Sequence, residues 1–182
     1  MKIYHFSGGG SDSERFFEES LVDYIKESGL SVPVSSMPDK AKIRKGPHGK
    51  PYLQDSVFQG VFFSRSHSKG HEVVCFSDGE IGIDCENTEA RPGIESRYLD
   101  IAERCFTEDE KEYLLGSADD AIARFFEIWT AKEAYMKYTG KGFSEGFQSF
   151  SALNAPGVVI ETGRLRSAPY VVYSVCTARK DM

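Results

Sequence analysis

Side chains alternate faces along an extended strand, so in Ile81-Gly82-Ile83-Asp84-Cys85-Glu86 the carboxylates of Asp84 and Glu86 leave one side while Cys85 leaves the other. Two acids thus share one surface. Further on, Trp129, Lys132, Glu133, Met136 and Lys137 follow the i, i+3, i+4, i+7, i+8 spacing of a helix face. Glu133 and Lys137 then stand one turn apart. If strand and helix pack together, three carboxylates converge, and like charges about 4 Å apart repel by roughly 4 kcal/mol at an effective dielectric near 20. Such a cluster calls for a cation. With oxygen donors only, Asp84, Glu86 and Glu133 as metal ligands point to Mg²⁺ or Mn²⁺ rather than Zn²⁺.

The 182 residues suit one compact domain or two small halves sharing an interface. A net charge of -6 disfavours general nucleic-acid binding, although Lys40, Lys42, Arg44, Lys45, His48 and Lys50 form a local basic patch. Four scattered cysteines, Cys75, Cys85, Cys105 and Cys176, form no C-x-x-C pair and read as buried thiols in a reducing compartment. Neither an amino-terminal apolar leader nor an apolar run of about 18 residues is legible, so the expected location is the cytoplasm, away from membranes.

Periodicity predicts a strand over residues 1–6 and a glycine-rich loop over 7–13. A helix follows from about Ser13 to Glu27, stopped by Gly29. Residues 38–51 read as a loop, 58–63 and 72–76 as short strands, and 64–70 as a polar connection between them. Asp78-Gly79 is a hairpin signal that would place Val73–Phe76 antiparallel to Ile81–Cys85, and it marks the expected seam between halves 1–79 and 80–182. Beyond it, a helix is expected near 94–103, and Thr107 with Glu110 forms a capping-box pattern ahead of another. A long helix spans about Asp119 to Thr139 with Gly140 as its stop, and strands are expected at 147–150, 158–161 and 170–177. The fold class is α+β.

The Gly82-Ile83-Asp84-Cys85-Glu86 and Trp129-Thr130-Ala131-Lys132-Glu133-Ala134 motifs, the latter continuing to Lys137, resemble those of the 4′-phosphopantetheinyl transferase superfamily. Gly49-Lys50-Pro51-Tyr52-Leu53 and Phe63-Ser64-Arg65-Ser66-His67-Ser68 agree with it, and together the four are similar to the Sfp-type branch. Ser64 departs from the asparagine that many relatives carry. The resemblance implies a pseudo-dimer of two similar halves, each with an antiparallel sheet and helices, acting as a monomer with coenzyme A between the halves. It implies Mg²⁺-dependent transfer of the 4′-phosphopantetheine arm to a serine of an apo acyl or peptidyl carrier protein, releasing adenosine 3′,5′-bisphosphate.

On that resemblance Asp84, Glu86 and Glu133 hold the metal, Glu133 accepts the serine proton directly or through water, and Lys137 neutralises charge on the phosphate oxygens. Arg15 and His67 would contact the 3′-phosphate, Lys50 and Pro51 would line the adenine, and Ser66 would add a polar contact. One of Lys42, Arg44 or Lys45 would join them. Simpler readings stand beside these: Glu133 with Lys137 as a surface i, i+4 ion pair, Trp129 as core packing, and Lys132 as either structural or ligand-binding. Two other functions remain open at this point, a non-catalytic coenzyme A-binding module and a metal-dependent nuclease. The nuclease lacks the usual lysine two places after Glu86, where Thr88 stands.

Overall fold

The computed structural model describes residues 1–8, 12–30, 41–89, 94–116, 120–142 and 146–180, with residues 94–96 by backbone alone. Gly9, Gly10 and Lys40 lie outside the described residues. Helices combine with antiparallel sheets, so the fold is α+β.

The run Val73-Val74-Cys75-Phe76 is fully buried because its strand, β5 (His71–Ser77), is central and covered on both faces. β1 (Lys2–Ser7) and β4 (Phe62–Ser68) flank it, both antiparallel. Val74 and Phe76 meet Phe17, Leu21 and Tyr24 of helix α1 (Asp12–Ser28), whose end is marked by Gly29 at φ +70°. Val73 and Cys75 turn the other way, onto Ile81, Ile83 and Cys85 of β6 (Ile81–Asn87).

Asp78-Gly79 does not close the hairpin expected of it. Both edges of β5 are taken by β1 and β4, which leaves no edge for β6. Instead β6 pairs with β8 (Ala168–Ala178), from Ile81 opposite Thr177 to Asn87 opposite Val171, and β7 (Val158–Leu165) takes the far edge of β8. Ser77 Oγ accepts the Gly79 N–H at 3.3 Å, and the dipeptide carries the chain from one sheet into the other. The hairpin of this region lies earlier, at Lys69-Gly70, with φ of +43° and +77°. That is the two-residue connection of a type I′ turn.

Other expectations shift for local reasons. Residues 64–68 are strand, not connection, because they pair with β5 from Ser64 opposite Cys75 to Ser68 opposite His71, and their serine hydroxyls find partners on β6. The stretch near 58 is a 3₁₀ turn, Ser56–Phe58, and strand begins at Phe62. Within the presumed loop, β2 (Ile43–Lys45) and β3 (Pro51–Leu53) form a small hairpin through Gly46–Gly49. Phe147–Ser149 is a 3₁₀ turn rather than a strand.

Helix α4 (Ala121–Thr139) covers the outer side of the second sheet, and α2 (Ile94–Cys105) and α3 (Glu108–Leu115) pack against α4 through Phe106, Leu114, Phe125 and Phe126. Gly140 at φ +68° ends α4, its N–H reaching Met136 O at 3.0 Å. Among the described residues no helix is long and apolar enough to cross a membrane. Trp129 is core packing, its ring stacked between Phe125 at 6.0 Å and Phe147 at 5.1 Å.

Two contacts fix α4. Position 82 must be bare, since a Cβ on Gly82 would lie 2.0 Å from the Ala134 carbonyl oxygen and 2.4 Å from Tyr138 N. The other contact is Lys132, fully buried, whose Nζ donates to Glu110 Oε1 and Oε2 at 2.9 and 2.7 Å and to Phe150 O at 2.7 Å. Glu110 also accepts the N–H groups of Thr107 at 2.8 Å and Ala152 at 2.7 Å, so the capping-box residue is the counter-charge of the helix motif. Lys132 is structural.

Gly82→Ala should cost about 1–3 kcal/mol or more, as overpacked sites do, read as a lower midpoint in chemical denaturation. Lys132→Met leaves a buried carboxylate uncompensated and should lose about 3–5 kcal/mol. Adding Glu110→Gln should recover much of that loss in the same measurement.

Candidate functional site

The alternation read from the sequence places the acids as expected on β6. Ile81, Ile83 and Cys85 enter the core between the sheets, which leaves Gly82, Asp84 and Glu86 on the face that α4 covers. Asp84 is buried, and its Oδ1 accepts hydrogen bonds from Ser66 Oγ and Lys137 Nζ, both at 2.7 Å. Glu86 Oε2 accepts one from Ser68 Oγ at 2.6 Å. Lys137 therefore does not close the i, i+4 surface pair with Glu133; it reaches across to the strand.

Glu133 shares this charge environment. Burial, then the negative charges of Asp84 and Glu86, push its carboxyl up from an ordinary 4.5 to about 7, with Lys137 opposing. No hydrogen bond to Glu133 is made among the described residues. Cys85, between the two strand acids, is pushed up to about 12 by burial and by Asp84, so it is a thiol and no nucleophile at neutral pH.

Serines tie this strand to the first sheet. Ser64 Oγ accepts the Ile83 N–H at 3.0 Å and Ser68 Oγ accepts the Asn87 N–H at 3.1 Å, while Ser66 and Ser68 donate to the acids. Backbone donors on the open edge of β6 are thereby satisfied by side chains. Reading 64–70 as a connection concealed this. The signal available was the period-2 placement of Ser64, Ser66 and Ser68.

Beside the acids lies a recess of about 270 Å³ whose walls include Lys50, Pro51, Phe63, Arg65, Glu133 and Lys137. Lys50 spans it: the amine donates to Tyr138 O at 2.8 Å and pairs with Glu80, and the stem packs on Gly140. Ser66 lies behind, against β6. His67 is exposed on β4 and is not among the lining residues. Arg15, paired with Glu19 at 2.8 Å on the exposed first turn of α1, instead borders a separate hollow beside Phe6 and Phe16. Lys42, Arg44 and Lys45 are exposed around β2 and do not line the recess either, Arg44 donating to Gln54 Oε1 at 2.8 Å. Arg65 and Met136 line the recess without having been singled out by the sequence.

Among the described residues no three of His, Cys, Asp and Glu are gathered into a ready-made metal cage. Asp84 holds the Lys137 ammonium in the present arrangement. The donor set still suits a hard divalent ion, because it is all carboxylate oxygen.

Comparison with known proteins agrees with this geometry. The family model described as the 4′-phosphopantetheinyl transferase superfamily matches residues 80–176, which include β6, α4 and most of β8. The chain is 40% identical over 135 residues to 4′-phosphopantetheinyl transferase psf-1 of Bacillus pumilus, covering 74% of this chain and 53% of the relative. It is 35% identical over 133 residues to the transferase gsp of Aneurinibacillus migulanus, covering 72% and 52%. To Sfp of Bacillus subtilis (strain 168) it is 37% identical over 117 residues, covering 62% and 48%. The chain thus spans about half the length of the curated relatives it matches. On these matches, and on motifs that meet across β6 and α4, the chain belongs to the 4′-phosphopantetheinyl transferase superfamily, in its Sfp-type branch.

Proposed function

We propose that this protein transfers the 4′-phosphopantetheine arm of coenzyme A to a serine hydroxyl of an apo acyl or peptidyl carrier protein, releasing adenosine 3′,5′-bisphosphate. The observation that carries the reading is that α4 sets Lys137 on Asp84 and turns Glu133 toward the charge of Asp84 and Glu86, beside a recess whose walls include Lys50, Arg65 and Lys137. In the reaction the serine oxygen bonds to the phosphorus bearing the pantetheine arm. The bond from that phosphorus to the bridging pyrophosphate oxygen breaks, and the nucleotide leaves.

The chain's own groups suit these demands. Asp84, Glu86 and Glu133 are the residues that would hold Mg²⁺ or Mn²⁺, which when bound supplies charge neutralisation at the pyrophosphate. Glu133, on the wall of the recess, is placed to accept the serine proton, directly or through a water. Lys137 is placed to stabilise charge on the departing oxygen. Lys50 and Pro51 form a wall for the adenine, and Ser66 orients Asp84. Arg15 and His67 would serve the 3′-phosphate only from outside the recess.

The two three-stranded sheets, one within residues 2–77 and the other within 81–178, support a division into halves at about residues 79 and 80, and the proposal is of a pseudo-dimeric enzyme that works as a monomer in the cytoplasm. Incubation with coenzyme A, Mg²⁺ and a panel of apo carriers, followed by mass spectrometry, tests the activity. A carrier carrying the pantetheine arm is the expected product. Bound coenzyme A with no mass gain on any carrier would favour the non-catalytic module instead.

Asp84→Ala and Glu133→Ala should each lower transfer by roughly a hundredfold or more, since loss of even outer-shell partners costs about 10–100-fold at metal sites. Single-turnover assays at saturating coenzyme A measure this.

A pH dependence follows from Glu133. Its carboxyl binds a proton more tightly in the folded than in the unfolded chain, so the stability it contributes is present below about pH 4.5 and lost as pH rises through about 7. In metal-free protein Glu133→Gln should therefore match the wild type in thermal stability near pH 4.5 and exceed it at pH 8. Added Mg²⁺ should reverse that order at pH 8.

A further inference from the structure

Arg65 lines the recess with Lys50, Glu133 and Lys137, yet neither the strand motif nor the helix motif accounts for it. Its neighbours Ser64 and Ser66 turn toward β6, so strand alternation sends Arg65 to the opposite face with Phe63. There its guanidinium is held from three sides. Arg65 Nη2 lies 2.7 Å from Glu72 Oε1 and donates to Ser13 Oγ at 2.7 Å, while Ser13 Oγ donates to Glu72 Oε2 at 2.5 Å. The cation also stands 5.7 Å over the Phe17 ring.

This arrangement does more than neutralise a buried acid. Glu72 is 6% exposed and needs a counter-charge, but its contact with Arg65 is close without being aligned: Oε1 receives charge and no directed hydrogen bond. An arginine serving only such a pair would present its fork, with two parallel N–H···O bonds. Arg65 spends Nη2 alone. Nε and Nη1 have no partner among the described residues, and the side chain keeps 33% of its surface exposed. A cation fixed in place, with donors to spare on the wall of a recess, is preorganised for a planar or tetrahedral oxyanion.

We infer that Arg65 is a phosphate seat of the recess, taking a phosphate group of the nucleotide-bearing substrate, with Glu72, Ser13 and Phe17 as its anchors. The inference rests on the reading of this site as a coenzyme A pocket and gives a binding role to a residue of the Phe63–Ser68 stretch that had none.

Calorimetric titration of coenzyme A into wild type and Arg65→Gln tests it. Loss of one charge-assisted contact should weaken binding roughly ten- to a hundredfold and reduce its sensitivity to salt. Because Arg65→Gln leaves Glu72 buried alone, the double variant Arg65→Gln/Glu72→Gln is measured beside it, with folding checked by circular dichroism. The same loss in the folded double variant supports the seat. Wild-type affinity in that variant overturns it and leaves the proposed function standing. If wild type binds neither coenzyme A nor adenosine 3′,5′-bisphosphate, the pocket reading itself falls, and Arg65 with it.

Discussion

The bare α-carbon of Gly82 sets the distance on which the site depends. Helix α4 rests its backbone on β6 at that point, and any side chain there would collide with the Ala134 carbonyl. Lys137 stands one turn beyond Ala134, and the close approach brings its ammonium within 2.7 Å of Asp84. Glu133 precedes Ala134 and comes into the field of both strand acids. A glycine two residues before Asp84 is thus a geometric requirement of the helix–strand approach, not a turn signal.

The serine ladder solves a second problem. β6 is an edge strand of its own sheet, and edges attract foreign strands. Ser64 and Ser68 occupy two of its backbone donors, and Ser66 and Ser68 hold the carboxylates in position. The same three hydroxyls thus add to the apolar contact between the sheets and help to orient the acids. Ser64 makes its contact with a single hydroxyl oxygen, which accepts the Ile83 N–H.

Much of the site was legible because its signals are local. Alternation in 81–86, the helical stripe from Trp129 to Lys137, the Thr107–Glu110 cap and the Gly140 stop depend on neighbours in sequence, and each formed as read. What stayed hidden depends on partners far along the chain. Asp78-Gly79 has the composition of a hairpin, but whether β5 has a vacant edge is decided by β1, some 70 residues earlier. Ser64 to Ser68 look polar and loop-like until β6 supplies partners. Lys132 could not be assigned until Glu110 was seen to be buried with it, and Arg65 had no pattern of its own at all.

Strand order carries a further implication for how the molecule is made. The first sheet is complete once residue 77 has emerged, and its β4–β5 hairpin closes through a two-residue turn, so that layer can form while synthesis continues. β6 follows at once but finds its ladder partner only in residues 171–177, almost a hundred positions later. Until then Asp84 and Glu86 sit on a strand with no neighbour on the β8 side, and its unpaired edge is open to wrong associations. The ladder that completes β6 therefore waits on residues made almost a hundred positions after the strand itself.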